Sequence, residues 1–215
     1  MSSYPKQFLS LFAISLFFWL LFEFYNDFLK GWYYVNIQEQ EILAGVIAFS
    51  TIVPAVFETA YLLKGFHLFE IKPKEKIKIS KPLLYLSIFV GAIFVTVPLI
   101  VHSPYMWILV WTGFFFLLDP INYLSGEKSI LKEIKMGKFN TILSLFVAGY
   151  ICGFLWEFWN YWAYAKWYYT VPILENIKIF EIPIIGFLAY GPFAWELFVM
   201  YHFLKVLFSK GVPGI

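Results

Sequence analysis

Long apolar stretches alternate with short polar segments along the whole chain. Six of these stretches reach about twenty residues, the length that an α-helix needs to cross a bilayer, and each carries at most two charged residues. The pattern predicts an all-α, polytopic membrane protein that forms a single transmembrane domain over residues 1–215. The predicted membrane helices are Phe8–Leu29, Ile42–Leu63, Leu83–Val101, Pro104–Leu124, Phe139–Tyr161 and Ile182–Leu204.

Composition agrees with the membrane assignment and narrows the chemistry. The 215 residues are 61% hydrophobic and 14% charged, whereas a soluble domain carries about 25% charged residues. All sixteen basic residues are lysine, which argues against a phosphate site built on arginine forks. Cys152 is the single cysteine, so an internal disulfide or a thiolate metal site is excluded. We therefore expect no metal, no cofactor and no nucleic-acid partner.

The lysines predict how the chain is oriented in the membrane. They concentrate at both termini and in the connections between predicted helices two and three and between four and five. Lysine-rich loops stay in the cytoplasm, so we expect both termini inside, in the cell membrane of a prokaryote. These lysines are Lys6, Lys64, Lys72, Lys74, Lys76, Lys78, Lys81, Lys128, Lys132, Lys135, Lys138, Lys205 and Lys210.

Three short strings occur twice and in the same order. The offsets between the copies are 134, 135 and 138 residues, so the spacing holds over some forty residues. This predicts an internal parallel repeat of a helix pair, with copies at approximately 8–66 and 139–208 and the helices of 83–124 between them. Whether those two helices belong to the repeat stays open. The paired strings are Leu21–Asn26 with Leu155–Asn160, Trp32–Tyr34 with Trp167–Tyr169, and Pro54–Glu58 with Pro192–Glu196.

Each copy carries two glutamates inside predicted helices. An acidic side chain at the centre of a membrane helix costs about 2.5–3.5 kcal/mol, so such groups face the bundle interior and pair with partners or take a proton. Asn26 and Asn160 follow a glutamate by three residues and share its helix face. We expect these groups to line one interior site, with Asp119 and Asn122 at its floor. The alternative is that they only join helices by hydrogen bonds.

The two copies resemble the membrane lycopene cyclase domain. The resemblance rests on an acidic residue near a helix end, a W-x-Y-type aromatic segment and a returning helix with proline followed by glutamate. It covers roughly residues 19–60 and 153–198. The family's usual Pro-x-Glu-Glu is tighter than the Pro-x-x-x-Glu of this chain.

The first functional hypothesis is a membrane-embedded enzyme that cyclises or isomerises an isoprenoid or another lipid by acid catalysis. A protonated glutamate would start the reaction, and aromatic rings would stabilise the carbocation. We expect Glu58 or Glu196 to be the acid, with the Glu/Asn pairs as orienting or relay groups. The candidate catalytic residues are Glu58, Glu196, Glu23, Glu157, Asn26 and Asn160, and the candidate substrate-binding residues are Trp19, Trp156, Trp159, Trp162, Trp195, Asp119 and Asn122.

Two other functions fit the same features. A small proton-coupled transporter also uses repeats, proline-containing helices and paired intramembrane carboxylates. A membrane scaffold without catalytic or transport activity would use these residues for packing alone. In each case the expected partners are membrane lipids, and the two Trp-Tyr-Tyr strings either anchor the chain at the membrane interface or gate a substrate.

Overall fold

The computed structural model describes residues 4–67, 69 and 77–209. Six helical spans in this part of the chain are long and apolar enough to cross a membrane, and one of them combines two consecutive helices. This confirms an all-α polytopic membrane protein. Lys72, Lys74, Lys76 and Lys210 of the lysine pattern lie outside the described residues. The helices are α1 (Tyr4–Leu29), α2 (Glu39–Ser50), α3 (Ile52–Gly65), α4 (Lys81–Thr96), α5 (Trp107–Leu124), α6 (Ile130–Lys135), α7 (Asn140–Trp162) and α8 (Ile184–Ser209).

The helices form one bundle around a core of buried aromatic and aliphatic side chains. Helix α3 packs against α1 and α7, α8 packs between α7 and α5, and α5 packs against α4. Glycines allow the closest approaches. A Cβ atom on Gly91 would lie 2.3 Å from the backbone nitrogen of Leu117, and one on Gly149 would lie 2.1 Å from the carbonyl oxygen of Tyr190. The contacts α4–α5 and α7–α8 therefore depend on residues without side chains.

The second membrane span is divided into α2 and α3, whereas the sequence predicts one helix over Ile42–Leu63. Pro54 lacks an N–H group and cannot bond the carbonyl four residues earlier. The hydroxyl of Ser15 on α1 then enters the break: it donates to the Phe49 carbonyl at 2.6 Å and accepts from the Val53 N–H at 3.0 Å. The corresponding Pro192 lies inside α8, which is continuous.

The Trp-Tyr-Tyr strings form a two-stranded antiparallel ribbon. Strands β1 (Trp32–Val35) and β2 (Lys166–Tyr169) pair so that Trp32 lies opposite Tyr169, and Tyr34 lies opposite Trp167. The sequence pattern does not predict these strands, because a four-residue strand without its partner gives no clear signal. A short hairpin follows, with strands β3 (Lys178–Ile179) and β4 (Ile182–Pro183). We call the end of the bundle that carries β1 and β2 the ribbon end.

Candidate functional site

The carboxyl group of Glu23 accepts three hydrogen bonds at the ribbon end of α1. The indole of Trp19, one helical turn earlier, donates to Glu23 Oε1 at 2.8 Å. The indole of Trp32 on β1 donates to the same oxygen at 3.2 Å, and the Tyr34 hydroxyl also donates to it. Trp32 and Tyr34 are two residues apart on a strand, so they reach the same face. We call this group the Glu23 cluster.

Glu157 on α7 lies in a matching group, the Glu157 cluster. The hydroxyls of Tyr169 and Tyr190 donate to Glu157 Oε1 at 2.5 and 2.6 Å. The Trp167 indole donates to the Tyr169 hydroxyl at 2.9 Å. Glu157 is fully buried, and its Oε2 atom has no hydrogen-bond partner among the described residues. The second carboxyl group is thus held by phenols, while the first is held by two indoles and one phenol.

One exchange of residues explains why the two clusters differ. Trp19 stands four residues before Glu23, and Gly153 stands four residues before Glu157. A Cβ atom on Gly153 would lie 2.3 Å from the ring of Tyr190. The Tyr190 ring therefore occupies space beside α7 that a side chain at position 153 would need. Tyr190 supplies the donor that Trp19 supplies in the other cluster.

Asn26 and Asn160 bind the backbone of the ribbon. The Asn26 amide donates to the Trp32 carbonyl at 3.0 Å, and its oxygen accepts from the N–H groups of Gly31 and Trp32. The Asn160 amide donates to the Trp167 carbonyl and accepts from the Trp167 N–H, both at 2.9 Å. Both side chains are buried and use their amide groups on backbone atoms. They fix the strands whose tryptophans and tyrosines reach the glutamates, which is a positioning role.

An apolar cavity of about 480 Å³ adjoins both clusters, and none of the residues that line it is charged. Seven of the nine tryptophans line it, together with the three tyrosines of the two clusters. The remaining wall comes from Phe49, Phe193 and small, aliphatic or threonine residues of α2, α3, α5, β4 and α8, together with the segments after α2 and β2. The volume lies in the range of small-molecule sites. The tryptophans are Trp19, Trp32, Trp107, Trp111, Trp156, Trp159 and Trp167.

The cavity-lining phenols of the ribbon keep their protons at neutral pH. Burial raises the pKa of Tyr34, and the neighbouring Glu23 carboxyl raises it further. Burial likewise raises the pKa of Tyr169 well above its ordinary value, with Tyr190 and Glu157 adding to the effect. Each phenol is thus a hydrogen-bond donor between the cavity and a carboxyl group.

The structure places the other two glutamates away from the cavity wall. Glu196 on α8 is fully buried, and neither carboxyl oxygen has a hydrogen-bond partner among the described residues. Glu58 on α3 is partly buried. Neither residue lines the cavity, although Pro192 and Phe193, one turn before Glu196, do. The expected single site of four acids is thus replaced by two clusters beside the cavity and two separate carboxyl groups.

Asp119 and Asn122 lie at the other end of α5 and join helices. The Asp119 carboxylate accepts from the N–H groups of Ile130 and Leu131 at 2.6 and 2.9 Å, which caps the start of α6. The Asn122 amide donates to the Val199 carbonyl at 2.8 Å. Neither residue lines the cavity. Their side chains instead bind backbone groups of α6 and α8 and so join these helices to α5.

Three of the five predicted tryptophans line the cavity: Trp19, Trp156 and Trp159. Trp162 is 71% exposed at the end of α7. Trp195 packs against Phe146 and donates to the Ile142 carbonyl at 2.8 Å, so its ring belongs to the contact between α7 and α8. The predicted residues do not include four further lining tryptophans or the tyrosine partners of the glutamates: Trp32, Trp107, Trp111 and Trp167, and Tyr34, Tyr169 and Tyr190. For Trp32, Tyr34, Trp167 and Tyr169 the alternate spacing of the Trp-Tyr-Tyr strings was the available signal.

The described residues contain no group of histidine, cysteine, aspartate or glutamate side chains that could hold a metal ion. Comparison with protein-family models, with curated proteins and with solved structures gives no match to the chain. The fold defines a polytopic α-helical membrane protein, and the site is an aromatic cavity beside two hydrogen-bonded carboxyl groups.

Proposed function

We propose that this protein is a membrane-embedded enzyme that isomerises or cyclises an isoprenoid or related lipid by acid catalysis. The observation that carries the proposal is the tryptophan-lined cavity with a glutamate–tyrosine cluster on each of two helices, α1 and α7. An acid-initiated rearrangement of a double bond needs one group that gives a proton and another that takes one. The two clusters supply these groups.

The surroundings of Glu157 and Glu23 indicate which of the two gives the proton and which accepts it. Glu157 is fully buried, and its Oε2 atom has no donor although two phenols donate to Oε1. Because a buried carboxyl group with one uncompensated oxygen is costly as an anion, we assign Glu157 as the proton source, acting through the Tyr169 or Tyr190 hydroxyl. Glu23 is only partly buried, and three donors converge on one oxygen. We assign Glu23 as the proton acceptor, reached through Tyr34.

The reaction balances without a further reactant. For the reaction, the protonated Glu157 donates to the phenol oxygen, and the phenol turns its own O–H toward the substrate. The π electrons of a substrate C=C bond take this phenolic proton, Glu157 replaces it, and a new C–H bond forms. The adjacent carbon becomes a cation, which a second double bond of the substrate attacks when a ring forms. Loss of a neighbouring C–H proton through Tyr34 to Glu23 restores a C=C bond. Nothing is oxidised or reduced, and solvent returns the proton from Glu23 to Glu157.

The tryptophan rings serve the cationic stage. An indole face attracts a cation within about 6 Å by roughly 0.5–2 kcal/mol, and more strongly when water is excluded. Trp32 lies between Trp19 and Trp107, with ring centroids 5.8 and 4.5 Å away. Trp111 continues the row, 5.5 Å from Trp107. A carbocation in the cavity therefore lies among several indole rings.

The test is conversion of acyclic isoprenoids by the purified protein in lipid nanodiscs prepared in D₂O. Wild type is expected to give an isomer or a cyclic product that carries one deuterium per initiation. Glu157→Gln and Glu23→Gln are each expected to reduce the rate by about 100-fold or more, the usual contribution of a general acid or base. Asp27→Asn is the matched control, since Asp27 is an exposed carboxylate one turn beyond Glu23.

Size-exclusion profiles and thermal midpoints establish that each variant is folded before its rate is compared. Unchanged isoprenoids with wild type, product without deuterium, or full activity in both glutamine variants would each contradict the proposal. Uptake driven by a pH gradient into proteoliposomes, without any product, would favour the transporter instead.

A further inference from the structure

A polar cavity lies directly beside the apolar one at the ribbon end. Its volume is about 490 Å³, it opens at the surface, and the exposed residues Glu175, Asn176 and Lys178 contribute to its lining. Tyr169 and Pro183 line both cavities. A molecule whose tail occupies the apolar cavity can therefore place a head group in the polar one by passing these two residues.

The segment that carries the polar groups is held in place. The Ile184 N–H donates to the Ile177 carbonyl at 2.7 Å, and the Ile177 N–H donates to the Leu174 carbonyl at 3.0 Å. The β3–β4 hairpin follows directly, and Ile182 and Pro183 on β4 are buried. The polar residues are thus fixed relative to the start of α8, whose first turns line the apolar cavity.

The groups in the polar cavity fit a neutral hydroxyl head better than an anionic one. They offer one carboxylate, one amide and one ammonium, so that donors and acceptors are both present. Phosphate sites instead concentrate cations, with arginine as the usual ligand, and this chain has no arginine. Lys166 on β2 is paired with Glu181 at 3.0 Å.

Residues that line the apolar cavity are exposed on α2 and α7, and also on α5 (Ile108) and α8 (Leu188). Helix α3, beyond the break at Thr51, forms the main packing of the second span against α7, while α2 packs against α1. Ala48 on α2 and Trp159 on α7 line the cavity and are both exposed, Trp159 by 59%. An apolar molecule can enter sideways from the bilayer at this place.

We infer that the ligand is an isoprenoid alcohol that enters from the bilayer between α2 and α7. Its apolar chain lies among the tryptophans, and its hydroxyl group lies among Glu175, Asn176 and Lys178. At roughly 30 Å³ per non-hydrogen atom, the apolar cavity holds about sixteen such atoms, which matches a fifteen-carbon chain. This inference rests on the cavity of the proposed function and does not depend on the proton transfers.

The experiment measures binding of three probes to the protein in nanodiscs by quenching of tryptophan fluorescence, at equal mole fractions in the lipid. The probes are farnesol, the hydrocarbon farnesene and farnesyl phosphate. Farnesol is expected to bind roughly tenfold more tightly than farnesene, because its hydroxyl group can form one or two hydrogen bonds in the polar cavity. It is also expected to bind at least as tightly as farnesyl phosphate. The double variant Glu175→Ala/Asn176→Ala is expected to lose this preference while its farnesene affinity stays unchanged.

A variant that fills the apolar cavity tests the tail. Ala189 lines the cavity, so Ala189→Phe is expected to weaken binding of all three probes. Ala13→Phe, a substitution at an exposed position of α1, is the control and should bind as wild type does. Equal binding of alcohol and hydrocarbon, tighter binding of the phosphate, or an unchanged preference in the double variant would overturn the inference.

The two proposals fail separately. Conversion of isoprenoids with deuterium incorporation but without any alcohol preference would leave the enzyme proposal standing and remove the head-group site. A clear alcohol preference without any conversion would support the head-group site and contradict the enzyme proposal.

Discussion

Tyr33 and Tyr168 lie directly opposite each other in the ribbon, with their ring centroids 5.8 Å apart and the rings stacked. These are the middle residues of the two Trp-Tyr-Tyr strings. The register on either side pairs Trp32 with Tyr169 and Tyr34 with Trp167. One Trp-Tyr-Tyr string therefore pairs with the other, and their antiparallel register relates the two strings by a local two-fold axis.

The ribbon depends on the two asparagines that bind its backbone. Asn26→Leu and Asn160→Leu are each expected to lower the free energy of unfolding by roughly 2–4 kcal/mol, because buried N–H and C=O groups of the ribbon lose their partners. Thermal unfolding in detergent, followed by tryptophan fluorescence, measures the effect. Asn176→Leu replaces an exposed asparagine and should change stability little. Equal midpoints for all three variants would show that the ribbon does not need these amides.

The Gly153–Tyr190 contact predicts a size-dependent cost at position 153. Gly153→Ala is expected to destabilise the protein by about 1–3 kcal/mol, the usual range for an overpacked contact, because the new methyl group displaces the Tyr190 ring. Gly65→Ala is the matched control, since its Cβ atom meets nothing within 4 Å. A cost at Gly65 as large as at Gly153 would remove the explanation.

The same contact predicts coupling between the two positions. Gly153→Trp alone is expected to disrupt the packing of α7 against α8. Adding Tyr190→Ile reproduces the residues of the other copy, Trp19 and Ile52, and is expected to recover part of the loss. A double-mutant cycle of unfolding free energies measures the coupling. Strictly additive effects would show that the Tyr190 ring and position 153 do not compete for space.

Cys152 reports on the packing of α7 against α3. Its thiol is buried, with the side chain 4% exposed and its Sγ atom 3.6 Å from the Thr59 hydroxyl. We expect no reaction with N-ethylmaleimide until the protein unfolds, as mass spectrometry can follow. As the control, Tyr164→Cys in a Cys152→Ala background places a thiol at a 71% exposed position beyond the end of α7, which should react in the folded protein. Fast labelling of Cys152 in the native state would contradict the packing.

The contact between Glu127 and His202 predicts a dependence of stability on pH. His202 Nδ1 lies 3.0 Å from Glu127 Oε1. Burial raises the pKa of Glu127, but the hydrogen bond from the Lys128 N–H and the contact with His202 outweigh it, so that the pKa lies below its ordinary value. The folded state thus favours the carboxylate. The stabilisation is complete above the unfolded pKa of about 4.3 and is lost as the pH falls through the folded value.

Glu127→Gln is therefore expected to be less stable than wild type at pH 7, by no more than about 1 kcal/mol for this partly exposed pair. The difference should shrink steadily as the pH falls below the unfolded value of about 4.3. Thermal midpoints measured across this range check the prediction, with Glu175→Gln as a control at an exposed position. A difference that stays constant with pH would show that the carboxylate charge is not the cause.

Hydropathy was enough to predict the six membrane spans, because length and apolar character decide which segments cross a bilayer. It did not predict the break between α2 and α3, because the Ser15 hydroxyl that satisfies the open backbone groups comes from another helix. The ribbon was also missed, since its two strands are too short to be recognised separately.

The residues of the candidate site likewise fall into those that the sequence predicts and those that only the packing reveals. Glu23, Glu157, Trp156 and Trp159 lie in the repeated strings, where polar groups within apolar helices stand out. Tyr190 was not predicted, because its role depends on the missing side chain at Gly153. Trp107 and Trp111 belong to the helix pair outside the two copies, and only the packing of α5 against α8 brings them to the cavity.

The ribbon also constrains the order of biogenesis. Its two strands come from positions more than 130 residues apart, so β1 reaches its side of the membrane long before the ribosome has made β2. Until then its backbone N–H and C=O groups form an unpaired edge, which is open to pairing with another chain. This edge stays unpaired until α7, the fifth membrane span, has been inserted and β2 can pair with β1. During this period the nascent protein is most prone to pair β1 with another chain.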